Sequence, residues 1–394
     1  MATTVQFGLE RCLAEPRSLL RGARFGLLMN QASVDRSFQY ACDLLAAKLP
    51  GQLKAIFSPQ HGLWCEEQAN MIESAHGRYE PLGVPIYSLY SETRQPTAEM
   101  LHGLDCFVID LQDVGTRVYT FAWTIQNCLK ACAVAGIPVV ILDRPNPLGG
   151  RVAEGPPLAP GYESFVGGAS IPLRHGLTLG ELAQLLNSEQ QIGASLEIVP
   201  MTGWTRDMRF HGVGRTWVAP SPNMPRTTTA TLYPGQVLLE GTNLSEGRGT
   251  TIPFEVVGAP FINPHELAQS LAEADLPGLA IRPIRFVPTF DKFQGHRCGG
   301  IALHIIDPPA VRSVTATLHL LAAIRRSYPN DFAWLPPPYE YEREKMPIDI
   351  LFGSFKLRDA FVSESGPSNA TIKELAYLDE AAWWRRVAPY LLYS

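Results

Sequence analysis

The chain of 394 residues is 46% hydrophobic and 18% charged, with a mean hydropathy of −0.01, a formal net charge of −5 and a pI near 6.0. This is the composition of a folded globular protein with room for two domains, and it excludes intrinsic disorder. The acidic balance and the lack of any Lys/Arg-rich run exclude nucleic acid as an expected partner, and no stretch approaches the ~20 apolar residues of a membrane span.

The first 25 residues scatter acids and arginines through the segment and contain no uninterrupted apolar core, so no signal peptide is expected. The seven cysteines are odd in number and several lie in apolar runs, which suits buried free thiols in a reducing, cytoplasmic compartment. An amphipathic helix is expected over residues 8–20. It leads into a buried strand over 24–31 that ends in two side-chain amides, Asn30 and Gln31. A helix over 35–49 closes at Pro50-Gly51, and a second strand from Lys54 runs into Gln60-His61-Gly62. The polar segment 64–79, with Glu66, Glu67, Asn70 and Glu73, reads as an active-site loop before a strand over 84–90.

The centre of the chain is the strand Cys106-Phe-Val-Ile-Asp110, followed by Asp113, Arg117 and Tyr119. An apolar run that ends on an acid reads as a strand buried on both faces with its chemistry at the carboxyl end. A helix over 119–135 stops at Gly136, and a further strand over 138–142 closes on Asp143, Arg144 and Asn146. Glycine- and proline-rich loops fill 149–175. Thr178 and Glu181 form a capping box for a helix to about Asn187, and a strand follows at 196–200. Repeated strands with apolar bodies and polar carboxyl ends, separated by crossover helices, predict an α/β fold with a Rossmann-like parallel sheet. Ligands collect outside the carboxyl ends of such strands. No G-x-G-x-x-G follows the first strand, so no dinucleotide cofactor is expected.

The proline-rich loop 219–226, which contains Asn223, marks the exit from a domain spanning 1–226. A smaller α+β domain is expected over 227–394. It opens with the loop Glu240-Gly-Thr-Asn243-Leu-Ser-Glu246-Gly-Arg248-Gly-Thr250, whose glycines permit close backbone approach to a ligand. Strands are expected near 280–287 and 300–306, with helices near 311–326 and 372–390. There is no G-x-S-x-G elbow and no H-E-x-x-H. Cys128 and Cys132 lack a neighbouring Cys/His pair, and His61, His76 and His175 each sit beside a loop glycine, so no metal is expected. Acids, amides, arginines and tyrosines at strand ends suit a polar, hydroxyl-rich substrate such as a sugar.

Seven segments in order carry a resemblance to a known family. They are Gly26-Leu-Leu-Met-Asn30-Gln31, Ser58-Pro-Gln60-His61-Gly62, Pro85-Ile-Tyr-Ser-Leu-Tyr90, Asp110-Leu-Gln-Asp113-Val-Gly-Thr-Arg117, Leu142-Asp143-Arg144-Pro-Asn146-Pro, Pro220-Ser-Pro-Asn223-Met-Pro225, and the loop from Glu240 to Thr250. In them the chain resembles the exo-β-N-acetylmuramidases of the NamZ type. The resemblance implies a Rossmann-like first domain, a smaller second domain and an active site in the cleft between them. It also implies release of terminal N-acetylmuramic acid from the non-reducing end of peptidoglycan-derived saccharides or muropeptides, in cell-wall turnover or recycling. Many members carry Glu, a catalytic carboxyl, where this chain has Gln60, and an amide cannot donate a proton as an acid does. Glu73 is the first expected substitute, followed by Glu66 and Glu67. Glu246, Asp110, Gln60 and His61 complete the expected catalytic set. Asn30, Asp113, Arg117, Tyr119, Arg144, Asn146, Asn223, Asn243 and Arg248 form the expected binding set, with Arg117, Arg144 and Arg248 best suited to the lactyl carboxylate of the sugar. A protein of another class, a catalytically silent saccharide binder, is the alternative that loss of the acid at position 60 leaves open.

Overall fold

The computed structural model describes residues 5–68 and 71–394, so Asn70 lies outside the described residues. Strands β1 (Phe25–Met29), β2 (Leu53–Ser58), β3 (Gly77–Tyr79), β4 (Val84–Ser88), β5 (Cys106–Asp110), β6 (Val139–Leu142) and β7 (Leu196–Val199) form one sheet in the order β3-β4-β2-β1-β5-β6-β7. All neighbours are parallel except β3, which runs antiparallel to β4. The alternation of side chains along each strand explains why the central strands are apolar throughout. Leu27, Met29, Cys106, Val108, Val140 and Leu142 pack with the helices Gly8–Ala14 and Ala41–Lys48 on one face. Leu28, Phe107, Ile109, Val139 and Ile141 meet the helices Phe121–Ala135 and Leu179–Glu189 on the other. The strand order reverses direction between β1 and β5, which opens a crevice beyond Met29 and Asp110, paired neighbours in the register.

The second face of the sheet shares one continuous apolar core with the rest of the chain. A three-stranded antiparallel sheet, β8 (Val256–Ala259), β9 (Leu279–Phe286) and β10 (Cys298–Ile305), has the order β8-β10-β9. Helix Thr227–Gln236 crosses close to the start of helix Ser313–Ser327, where a methyl group on Gly235 would overlap the Ser313 carbonyl. Among the described residues no helix is long and apolar enough to cross a membrane.

The α/β class and the strand ends agree with the sequence, whereas several element bounds differ for local reasons. The helix expected from residue 35 begins at Ala41, because the Asp35 carboxylate accepts the Ser37 and Gln39 N–H groups and closes a turn first. The helix expected to residue 20 stops at Ala14 ahead of Pro16 and resumes as a single 3₁₀ turn, Ser18–Leu20. The last helix is two, Asn369–Ala376 and Glu380–Val387, the second started afresh by Asp379 accepting from Ala382 N. Its continuation returns to the first sheet: Trp383 Nε1 donates to the His175 carbonyl, and the Tyr393 hydroxyl donates to Asp143.

Arg117 ties the two bodies together. Its side chain is completely buried and donates to the carbonyls of Pro156 and Ile171 on one side and of Leu351 and Phe352 on the other, at 2.9 to 3.0 Å. The latter two belong to the last residues of helix Pro347–Phe352, whose carbonyls have no intrahelical partner. Gly353 follows with φ 93°, and a Cβ there would lie 2.9 Å from Arg117 Nη2. Burial pulls the Arg117 pKa down to about 9, which still leaves a cation at neutral pH. The expectation that Arg117 reads a substrate carboxylate is therefore corrected, because the protein's own carbonyls occupy its donor fork. Arg117→Met is expected to cost about 3–5 kcal/mol of stability, since it strips a charged donor from four buried acceptors. Urea unfolding measures it, and a loss below about 1 kcal/mol would show that the carbonyls find other partners.

Candidate active site

Beyond β2 the chain turns sharply through His61 (φ 74°) and Gly62 (φ 80°), which brings Gln60 and His61 into a cavity between the sheet's carboxyl edge and the second body. Tyr119 and Thr120 enter it from the start of the helix after β5. From the second body come Tyr233, Glu240, Arg248 and the loop residues Tyr339 and Glu340. Gly247 (φ 81°) and Gly249 (φ 78°) flank Arg248 in left-handed conformations, which only glycine adopts without strain. Glu340 (φ 44°) and Tyr341 (φ 70°) adopt that conformation without being glycine, a local strain of the kind concentrated at ligand sites.

Glu340 is 3% exposed. Its Oε2 accepts from the Tyr90 hydroxyl at 2.7 Å and its Oε1 from Gln60 Nε2 at 3.2 Å, while Gln60 Oε1 accepts from Thr120 Oγ1 at 2.8 Å. Burial pushes the Glu340 pKa above the usual carboxyl range, with the Tyr90 and Gln60 hydrogen bonds opposing it. His61 is held neutral, its pKa pulled down to about 4 by burial and by the Arg248 charge. Its Nδ1 lies 2.7 Å from the Glu67 carbonyl, which can only accept, so Nδ1 carries the proton and Nε2 is left as an acceptor. Arg248 donates to Glu240 Oε1 at 2.9 Å and lies 3.1 Å from Glu246 Oε1, and Lys292 Nζ donates to Glu246 Oε2 at 3.0 Å. The Tyr339 hydroxyl donates to Glu240 Oε2 at 2.6 Å. Burial pushes Glu246 up, but Lys292 and Arg248 outweigh it and hold the acid below its usual range.

Of the expected site residues, Gln60, His61, Tyr119, Asn223 and Arg248 line this cavity. Glu246 lies just behind Arg248 and lines an adjoining recess with Lys292 and Glu240. Glu73 sits 53% exposed at the rim of a wider outer cleft that shares Glu340, and is paired with Arg94 at 3.2 Å. Glu66 is exposed, and Glu67 contributes its carbonyl to His61. The remaining expectations are corrected by their partners. Asp110 is fully buried under Arg144, which clasps it through Nε and Nη2. Asp113 accepts from Gly115 N and lies 3.5 Å from His175. Asn30, Asn146 and Asn243 staple loops by donating to the carbonyls of Pro220, Leu177 and Asp331. Short polar side chains at strand ends served the backbone here, and no local pattern distinguishes that use from ligand binding. The sequence reading missed Glu340 and Glu240 as site acids. The signal for Glu340 was available in Pro337-Pro-Tyr339-Glu340-Tyr341-Glu342, where acids alternate with aromatics after prolines in a stretch with no helix or strand pattern.

Two family models match the chain in succession: exo-beta-N-acetylmuramidase NamZ, N-terminal, over residues 25–228, and exo-beta-N-acetylmuramidase NamZ, C-terminal, over residues 231–393. The chain is 45% identical over 333 residues to the peptidoglycan beta-N-acetylmuramidase NamZ of Bacillus subtilis (strain 168), covering 84% of this chain and 80% of that protein. Its fold is similar to crystal structures of two DUF1343 family proteins from Bacteroides fragilis. One has a TM-score of 0.88 at 30% identity and covers 99% of both chains. The other has a TM-score of 0.76 at 27% identity and covers 100% of this chain and 99% of its own.

The Gln60 amide lets a buried carboxyl sit beside it without like-charge repulsion. In Gln60→Glu two carboxyls abut, the folded-state pKa of the pair rises above the unfolded value, and stability must fall as pH rises through that interval. The expected cost relative to the unmodified protein is small at pH 5 and about 1–3 kcal/mol at pH 8. Denaturation at both values measures it, and a cost independent of pH would place the new acid away from Glu340.

Proposed function

The chain belongs to the exo-β-N-acetylmuramidase NamZ family, and on that premise we propose that it is a glycoside hydrolase that releases terminal N-acetylmuramic acid from the non-reducing end of peptidoglycan-derived saccharides. The two family models meet between residues 228 and 231, which supports a division of the chain near residue 226. The seven cysteines are free and buried, in keeping with a reducing compartment, and we place the protein in the cytoplasm.

The observation that carries the mechanism is the Glu340 carboxyl, buried and bonded to the amide that stands in place of the family's acid. Glycoside hydrolysis needs an acid that keeps its proton until the leaving oxygen takes it, and burial is the usual means of raising a carboxyl pKa to that end. We assign that role to Glu340 and not to Glu73, whose carboxylate is exposed and paired with Arg94. Gln60, fixed by Thr120, orients Glu340. Glu240, held by Arg248 and Tyr339, supplies the second carboxylate, which stabilises the positive charge developing at the anomeric carbon. His61 Nε2 accepts a hydrogen bond from the sugar, and Tyr119 and Asn223 complete the lining. Arg248 is the arginine of the cavity and receives the lactyl carboxylate. One specific feature favours a second reading: an amide at position 60 is what a silent saccharide binder would carry. Incubation with a muramic-acid-terminated disaccharide decides between the two, since a binder retains the intact disaccharide and a hydrolase frees N-acetylmuramic acid.

Glu340→Gln is expected to lower turnover by ~10²- to 10⁴-fold while N-acetylmuramic acid still binds. In the unmodified enzyme, turnover should fall as pH rises through the Glu340 pKa, above the ~4.3 of an ordinary glutamate, because only the protonated form donates. Full turnover in Glu340→Gln, followed by its loss in Glu73→Gln, would return the acid role to Glu73.

For Arg248→Lys, kcat/KM on a muramic acid glycoside should drop roughly tenfold or more beyond any drop on the matching N-acetylglucosamine glycoside, which lacks the lactyl acid. Equal losses on the two sugars would show that Arg248 does not read that group.

A further inference from the structure

A second cavity, of about 130 Å³, opens at the crevice where the strand order reverses. Ala32 and Val34 reach it from the end of β1, Gln112 from β5 and Arg144 from β6, and the segment 214–218 closes it from outside. In doubly wound sheets this is where ligands bind. We propose that it is a binding site for a small organic oxyanion, a carboxylate or phosphate carried on a compact apolar group.

Two buried guanidinium groups carry the argument. The side chains of Arg144 and Arg215 are 3% and 6% exposed. Each is held from behind by an acid, Arg144 by Asp110 through Nε and Nη2, and Arg215 by Glu10 through Nη2. Arg144 Nη2 also reaches the Val34 carbonyl, whereas Arg215 Nε is buried with no hydrogen-bond partner among the described residues. Both arginines line the cavity, and Arg215 Nε is an unspent donor of this pair. Arg36 adds a third guanidinium at the mouth. Counting Asp110, Glu10 and Asp35, the surrounding charge is balanced, and recognition therefore rests on directed N–H groups and not on bulk potential.

The apolar requirement comes from the aromatic walls. The Phe7 ring lies between the two guanidiniums, 5.4 Å from Arg144 and 4.5 Å from Arg215, and Phe210 adds a second ring. Phe38 stands at the mouth, 56% exposed and in a left-handed conformation (φ 62°) that a bulky side chain adopts only under constraint. The volume admits a compact anion. The site is separate from the catalytic cavity, although one loop serves both. Val218 lines this cavity, Ser221 and Asn223 line the other, and the amides of Gln31 and Asn30 pin the Ala219 and Pro220 carbonyls between them.

Isothermal titration of the full chain with benzoate, phenyl phosphate and the neutral isostere benzamide tests the proposal. Saturable binding of at least one anion is expected, with benzamide bound roughly tenfold or more weakly, and the better anion identifies the natural class. Arg215→Gln should weaken that anion by a similar factor, and Val218→Trp, which fills the cavity and leaves both ion pairs intact, should abolish binding. An excess of N-acetylmuramic acid should not displace the anion. The proposal is overturned if neither anion binds the unmodified protein at millimolar concentration, if benzamide binds as well as benzoate, if Val218→Trp leaves binding unchanged, or if N-acetylmuramic acid displaces the probe.

Discussion

A guanidinium that is fully buried must find acceptors within the protein, and this requirement at Arg117 shapes the junction of the molecule. Its donors take two carbonyls from loops beside the parallel sheet and two from the C-terminal end of helix Pro347–Phe352. The charge suits the negative end of that helix, and the glycine that follows leaves room for the side chain. Because the same helix lies a few residues beyond the loop of Tyr339 and Glu340, the anchor behind the cleft also sets where the site carboxyl stands. The C-terminal segment fastens the arrangement from the other side through Trp383 and Tyr393.

With that junction in place, the electrostatics of the cleft follow from which charges find partners. Glu246 and Arg248 share a network with Lys292 and Glu240, which satisfies a dense set of buried charges. Among the described residues Glu340 has neutral donors, Tyr90 and Gln60, in direct contact. An acid in a charged network is held ionised, whereas an acid among neutral donors in a desolvated site keeps its proton longer. An amide at position 60 therefore conditions its neighbour, since an amide can donate to a carboxylate that another carboxylate would repel.

The sheet topology yields crevices with different chemistry. At the reversal between β1 and β5, Asp110 and Arg144 neutralise one another, and Arg144 lines a cavity there with Arg215. Farther along the same carboxyl edge, the turn after β2 and the start of helix Phe121–Ala135 meet the second body and form the other cavity. Segment 214–223 runs past both.

Much of the fold was legible in the residues because its cause is local. Uninterrupted apolar strands ending in polar groups specify a doubly covered parallel sheet, the Thr178 and Glu181 box and the Gly136 cap mark helix ends where the structure has them, and the ordered motifs specify the family. Gln60, His61, Asn223 and Arg248 were legible as residues beside glycine and proline turns for the same reason, and the four line one cavity. The assignment of Asp110, Arg117, Arg144 and Asn146 to the substrate was not decidable locally, because a polar group at a strand end has the same neighbours in sequence whether it faces a ligand or a buried carbonyl. Only long-range contacts made that choice: Arg117 with residues 351 and 352, Asp110 with Arg144, and Gln60 with Glu340. The acid of the site comes from a loop 280 positions away in the chain from the amide it touches, and no sequence period spans that distance.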